Sequence, residues 1–506
     1  MDRRVRRLTV ALMGLFVLLF AQISWVQVFQ ADAIAGNPAN ARRQLIAEYK
    51  VFRGPILASD RRTPLALSRK TRNELVYQRR YPDGPLYAGV TGFYSAVFGR
   101  SELEQAMNPF LNGDAPELAA QTFADLVLGR PKSGATVIST IDAPLQAAAV
   151  KALGNLSGAV VAMDPRTGAV LALVSNPSYD PNVLSSGTGE QIRAQWDKLN
   201  TDPSHPLLSN ANDQLFPPGS TFKIITASAA LENGATPQTT YPNPPELDLP
   251  LTTGTIQNFG GSHCAGGASE ITLATAFQIS CNVTFGEIGL DVGAQRLQAQ
   301  AEAYGFCPTD PPDQSDCIEP TIPFTIPFET GRFPVPAYFE QNDPLVAISA
   351  IGQDNVLTNP LQMALVSSAV ANGGVMMQPQ LVSEIRDPQG RVVKTFDPVE
   401  YGRPISPETA AALTEMMVSV TQPGGTAYPN ANVANVTVAG KTGTAQHGGE
   451  GSDPHAWFTA FAPADGNPQI AVAVIVLDGG DLGSEATGGQ VAAPIAAKVI
   501  DTYMNG

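Results

Sequence analysis

Ser220 stands three residues ahead of Lys223, and two more short strings follow it along the chain, Ser280-Cys281-Asn282 and Lys441-Thr442-Gly443-Thr444. Together they have the residue types of an acyl-transfer site. Phe216-Pro217-Pro218-Gly219 cannot continue a helix, whereas Thr221 to Leu231 is largely apolar or helix-compatible, so Ser220 is expected where a helix begins. A spacing of three puts Lys223 on the same helical face, pointing back toward the helix start. Serine is a poor nucleophile until a base takes its proton. Lysine can be that base if burial and a neighbouring positive charge, such as Lys441, pull its pKa toward neutrality. Only His205, His263, His447 and His455 are present, and no Gly-x-Ser-x-Gly string marks a nucleophile elbow, so a lysine base fits better than a histidine.

The other two strings supply what such a serine lacks. Ser280 can relay a proton between Lys223 and a leaving amine, and the Asn282 amide can hold a lysine ammonium or a substrate amide. The third string ends a β-branched run, Asn435-Val436-Thr437-Val438-Ala439, that reads as a strand. Gly440 and Gly443 let a substrate backbone approach that strand as an added strand. Lys441 and Thr442 would then meet an anionic group such as a terminal carboxylate. The backbone N–H groups of Ser220 and Thr444 would form an oxyanion hole, in which losing one donor costs roughly a hundredfold to a thousandfold in rate. Taken singly, each string has a plainer reading as a helix cap, a turn or a strand ladder; the three in order do not.

In that order the strings resemble those of class B penicillin-binding proteins, peptidoglycan D,D-transpeptidases, of the penicillin-binding protein A or division type found in actinobacteria. Further stretches carry the same resemblance: Gly158 to Gly168, Ile351-Gly352-Gln353 with Pro360-Leu361-Gln362-Met363-Ala364, and His455 to Pro463. Arg53-Gly54-Pro55-Ile56-Leu57 and Thr140-Ile141-Asp142 are weaker echoes. The resemblance implies that Ser220 attacks the bond between two D-alanines of a stem pentapeptide and that an amine resolves the acyl-enzyme into a cross-link. It implies covalent inhibition by β-lactams and no cofactor or metal. Catalytic roles then fall on Ser220, Lys223, Ser280, Asn282 and Lys441, and substrate contacts on Thr442, Gly443 and Thr444. A β-lactamase is disfavoured because no Glu-x-x-Leu-Asn string is present. A D,D-carboxypeptidase, or a β-lactam-binding sensor or scaffold without turnover, would share the motifs and stays open.

The elements that must hold these residues follow from patterning. Arg3, Arg4, Arg6 and Arg7 precede an uncharged run from Leu8 to about Phe29, long enough to span a bilayer with the basic flank in the cytoplasm. Ala33-Ile34-Ala35 offers the rival reading of a cleaved signal peptide, but the strongly apolar part ends about fifteen residues before it, so an uncleaved anchor is preferred. The chain divides into residues 1–7 as a cytoplasmic tail, 8–30 as the anchor, 31–135 as an N-terminal stalk or dimerisation-type domain, and 136–506 as the transpeptidase domain. The stalk's role is borrowed from the resemblance. The expected fold class is α+β, a serine β-lactamase/transpeptidase-like antiparallel sheet flanked by helices. Its strands are expected within Ala159 to Val174, at Val436 to Ala439, Trp457 to Ala462 and Ile470 to Leu477, with helices Pro360 to Ala371 and Gln490 to Tyr503.

Composition agrees with a large exported globular protein: 506 residues with 43% apolar and 15% charged can bury a substantial core. A net charge of -15 argues against a nucleic-acid partner. An oxidising exterior permits disulfides, and among three connectivities the local one is preferred, Cys264 with Cys281 and Cys307 with Cys317, against buried free thiols as the plainer alternative. The roughly hundred residues between membrane and catalytic domain are too few for a glycosyltransferase module. The resemblance therefore implies a partner polymerase of the shape, elongation, division and sporulation family. Whether the enzyme serves division or elongation is open.

Overall fold

The computed structural model describes residues 3–30, 48–72, 75–119, 129, 131–249, 254–258, 261, 263–310, 321–340, 343–448 and 451–506. A helix over Arg3–Phe29 opens the chain. Its apolar residues face outward on every side, with Phe16 71% and Leu18 68% exposed. Within it Arg6–Val26, 21 residues of mean hydropathy 2.1 with none of the span buried, is long and apolar enough to cross a membrane. At 1.5 Å per residue it is about 31 Å long, the thickness of a hydrocarbon core.

The N-terminal region is organised by a six-stranded sheet, in spatial order Val392–Thr395, Val382–Arg386, Thr136–Ser139, Ile56–Leu57, Pro64–Lys70 and Tyr77–Arg80. Thr136–Ser139 lies parallel to Ile56–Leu57 and antiparallel to Val382–Arg386, so residues on both sides of position 135 share one ladder. Gly54 is required at its entry, since a Cβ there would sit 1.8 Å from the Ala135 carbonyl oxygen. Beside it Arg53 and Arg79 converge on the buried Glu104, with Arg53 Nε 2.6 Å from Glu104 Oε2 and Arg53 Nη1 donating to Asn108 Oδ1 at 2.6 Å. A buried carboxylate held by two guanidinium groups is fully paired, and removing Glu104 would leave two buried cations facing each other.

The second sheet is fully antiparallel, ordered Ala439–Ala445, His455–Ala462, Ile470–Val476, Gly158–Met163 and Val170–Asn176. Its central strands, Ile470–Val476 and Gly158–Met163, are buried at every residue, as their unbroken apolar runs require. Pro360–Ala371, buried from Pro360 to Val370, packs on one face; Gly488–Asn505 and Ala143–Leu153 cover the other. The helix starts are capped as their sequences suggest, Asn359 accepting from the Gln362 N–H and Asp142 from that of Leu145. Helices flanking an antiparallel sheet make this the expected α+β class.

One strand differs from its expectation. The ladder begins at Ala439 and runs to Ala445, so the third string lies inside the strand instead of following it. Asn435 adopts φ +59° and Val433 bridges to Val436, which folds the β-branched run back on itself. Its neighbour breaks the regular ladder too: the His455–Ala462 strand ends against Pro463, which has no N–H to donate, and beyond it the Ala464 N–H reaches across to Thr437 O at 2.8 Å.

Candidate active site

The three strings meet at one end of the Ala439–Ala445 strand, the outer strand of its sheet. Ser220 occupies a tight helical turn, Gly219–Phe222, that leads into the α-helix Lys223–Glu232. That turn is clamped from three sides. The Gly219 N–H donates to Gly352 O at 2.9 Å, and the Trp457 indole N–H donates to Pro217 O at 3.0 Å. Gly219 itself has φ +52°, and a Cβ there would lie 2.7 Å from Thr444 O. Gly443 answers from the strand side, where a Cβ would meet Pro218 O at 2.9 Å. Glycine at both positions lets the Ser220 turn lie against the strand.

Lys223, the first α-helical residue, and Lys441, in the strand, are both fully buried. Lys223 Nζ donates to Asn282 Oδ1 at 2.7 Å and Ser280 O at 2.8 Å, and stands 3.4 Å from Ser280 Oγ. Lys441 Nζ donates to the same Ser280 Oγ at 2.8 Å and to Thr442 O at 3.0 Å. Ser280 therefore bridges two lysines. Burial, then the nearby Lys441 charge, holds Lys223 well below the ordinary lysine pKa, and burial brings Lys441 down to about 7. A neutral amine has two N–H bonds and one lone pair. On Lys223 the two short bonds, to Asn282 Oδ1 and Ser280 O, use both N–H groups and leave the lone pair able to accept a proton.

Ser280 sits in the left-handed region at φ +59°, between the helices Leu273–Gln278 and Asn282–Val292. The second of these, which the sequence reading did not include, makes Asn282 a helix-opening residue. A disulfide joins Cys281, the middle residue of this string, to Cys264, with Cα atoms 5.9 Å apart. Cys307 is also disulfide-bonded; Cys317, its expected partner, lies outside the described residues. Asn258, which no motif singled out, accepts from the N–H groups of Asn282 at 2.8 Å and Val283 at 3.3 Å, and Gln257 O accepts from Asn282 Nδ2 at 3.2 Å. An asparagine in a loop satisfying another helix's first amides has no local sequence signal.

Thr442 is buried and its hydroxyl lies 2.6 Å from that of Thr426. Ser220, Asn282 and Thr444 open onto a cavity of about 840 Å³, which Asn258, Gln353 and Gln446 also line. Gln353 closes one wall, its amide paired with both backbone groups of Gln446 at 3.1 Å. His447 and His455, given no role from sequence, stack on each other at 3.7 Å near the cavity rim. His455 is buried and accepts from the Asp478 N–H at 3.1 Å, and burial followed by its neighbour His447 brings its pKa down to about 3. With Asp478 they place three donor atoms within 4.8 Å of one another. The two rings are nearly parallel, however, so an ion in the plane of one would lie out of the plane of the other, and the pair reads as packing.

Comparison with known proteins agrees with this geometry. Residues 158–501 match the penicillin binding protein transpeptidase domain, and residues 53–137 match the penicillin binding protein A dimerisation domain. The chain is 42% identical to the peptidoglycan D,D-transpeptidase PbpA of Mycolicibacterium smegmatis, over 99% of this chain and 98% of that one. It is 38% identical to the PbpA of Mycobacterium tuberculosis over the full length of both. The structure of penicillin-binding protein A from M. tuberculosis as a ceftriaxone acyl-enzyme complex superposes with a TM-score of 0.82 at 37% identity, covering 91% of this chain and all of that one. On sequence along its whole length and on fold alike, the chain belongs to the penicillin-binding protein transpeptidase family.

Proposed function

We propose that this protein is a peptidoglycan D,D-transpeptidase that cross-links stem peptides through an acyl-enzyme on Ser220 and is acylated at the same oxygen by β-lactams. One observation carries the assignment of roles: two buried lysines of lowered pKa converge on Ser280 Oγ beside the cavity that Ser220 faces. Lys223 takes the Ser220 proton as the oxygen attacks the penultimate D-alanine carbonyl, and becomes an ammonium held by Asn282 Oδ1 and Ser280 O. The N–H groups of Ser220 and Thr444 receive the developing oxyanion. The proton passes through Ser280 to the departing D-alanine amine. An acceptor amine then attacks the ester, giving its proton back along the same route and restoring Ser220. The donor peptide lies along the Ala439–Ala445 strand, with its carboxylate near Lys441, Thr442 and Thr444.

The anchor helix holds this domain outside the membrane, with Arg3, Arg4, Arg6 and Arg7 on the cytoplasmic side. Glycan strands come from a membrane polymerase of the shape, elongation, division and sporulation family. Incubation of the full-length protein with a stem pentapeptide, with and without a glycine or D-amino-acid acceptor, tests the reaction. Transfer product and D-alanine release, both absent in Ser220→Ala, are expected. Release of D-alanine with water as sole acceptor would make it a carboxypeptidase, and penicillin adduct without any release would make it a sensor. Co-purification of the full chain from membranes tests the polymerase, whose consistent absence would remove that partner.

A further inference from the structure

A second cavity, of about 400 Å³, lies where the N-terminal region meets the transpeptidase domain. It is beside the end of Val170–Asn176, the outer strand on the side of the sheet away from Ala439–Ala445, and so belongs to no part of the Ser220 site. Aromatic rings form one wall, Phe98 stacked on Trp196 at 4.3 Å and Phe93 edge-on to Trp196 at 5.9 Å. Glu102 and Asp213 face it from the two regions.

Glu102, half-buried, is unlike the fully buried glutamate of this segment. Glu104, two residues on, is neutralised by Arg53 and Arg79. Glu102 Oε2 is buried and has no hydrogen-bond partner among the described residues. Its backbone is held at φ +45°, a conformation side-chain-bearing residues rarely take. Arg100 also lines the cavity but is committed to Glu48 at 2.8 Å. Asp213 accepts from the Ser209 N–H at 3.0 Å and from Asn212 Nδ2 at 2.7 Å, neither a cation. Burial, and then the Asp213 charge, push Glu102 up to about 8; burial, with Glu329 as a lesser cause, pushes Asp213 up to about 6. Carboxylates largely withdrawn from water without a counter-charge destabilise the fold, and a strained backbone that holds one of them marks a site with a use.

We propose that this cavity binds a small organic cation, a primary ammonium on a short apolar stem, its nitrogen between Glu102 and Asp213 and its stem against the Phe98 and Trp196 rings. Ammonium charge satisfies the orphaned oxygen, and the aromatic wall suits an apolar stem with a cationic end. A divalent metal ion would want a close shell of oxygen ligands on every side, which a cavity walled on one side by Phe93, Phe98 and Trp196 does not offer. The occupant would tie the N-terminal region to the segment that leads from Asp213 to Ser220. Because the ammonium favours the ionised carboxylates, binding releases protons. Affinity therefore rises from pH 6 to pH 8.5; the other charged or ionisable groups facing the pair are Arg100, paired with Glu48, Glu329 near Asp213, and Tyr179, whose pKa burial raises well above its ordinary value.

Calorimetric titration of the full-length protein in detergent with n-pentylamine, against 1-pentanol as its neutral counterpart, tests this. Saturable amine binding is expected, at least about tenfold weaker in Glu102→Gln and in Asp213→Asn, with no saturable binding of the alcohol. Penicillin acylation of Ser220 in both variants verifies that they are folded. Equal binding of amine and alcohol, unchanged amine affinity in both folded variants, or no saturation by the amine below about 50 mM would overturn the proposal.

Discussion

Replacing Lys441 by methionine separates the electrostatic state of the site from its turnover. In the folded protein burial brings Lys441 to about 7, against an ordinary value of 10.5. Between those two values the unfolded chain holds a proton that the folded chain does not, so the folded state gains stability as pH rises through this window. At 1.36 kcal/mol per unit, the penalty for burying this amine is about 4 kcal/mol at pH 7, where the folded group is half protonated, and about 1 kcal/mol at pH 9.5. Methionine has a similar length and no such penalty. It does lose the bonds to Ser280 Oγ and Thr442 O, of net worth about 1 kcal/mol each, and that loss is nearly the same at both pH values. Losing the Lys441 charge also relaxes the depression of Lys223, which lowers the variant's burial cost at pH 7 and acts in the same direction. Relative to the parent, Lys441→Met is expected to be more stable by about 3 to 4 kcal/mol at pH 7 than it is relative to the parent at pH 9.5. Urea midpoints of both proteins at the two pH values measure this, and penicillin acylation measures the accompanying loss of activity. A stability difference that does not change with pH would mean that Lys441 keeps an ordinary pKa in the fold, and the proposed proton path would fail with it.

Three further outcomes follow from the same geometry. Ser280→Gly and Ser280→Ala both remove the oxygen shared by the two lysines and should slow acylation alike, yet glycine suits φ +59° and should leave the fold more stable than alanine does by about 1 kcal/mol, as thermal unfolding would reveal. Cys264→Ser opens a 17-residue loop; unfolding in urea should register a loss of about 3 kcal/mol, and slower penicillin acylation should accompany it as Ser280 loosens. Gly443→Ala drives a methyl group toward Pro218 O and the Thr221 and Trp457 side chains, all within 3.0 Å of the added carbon. Stopped-flow acylation should slow at least about tenfold while the urea midpoint falls by no more than the cost of overpacking, about 1 to 3 kcal/mol.

The groups of the candidate site were legible because acyl-transfer chemistry restricts such groups to few residue types at short spacings. Ser220 and Lys223 share a helix start, and Lys441 to Thr444 share a strand, so sequence distance stood in for spatial distance. The buried central strands were legible from unbroken apolar runs, and Pro360–Ala371 was framed by its flanking punctuators. What escaped depends on contacts distant in sequence. The motif strand was displaced because β-branched composition at Val436 to Val438 says nothing of where the partner strand ends. Asn258 and the left-handed Ser280 are products of how two loops meet, and neither leaves a periodic trace. Pairing of Thr136–Ser139 with Val382–Arg386 spans some 240 residues and is equally silent in any local window.

That last pairing bears on how the protein can be divided. A fragment begun at residue 136 would keep Thr136–Ser139 and the hairpin Val382–Thr395 but lose Ile56–Leu57 and the strands beyond it, baring a row of amides and carbonyls along the Thr136–Ser139 edge. Such an edge invites self-association, so a soluble catalytic fragment should start ahead of Arg53.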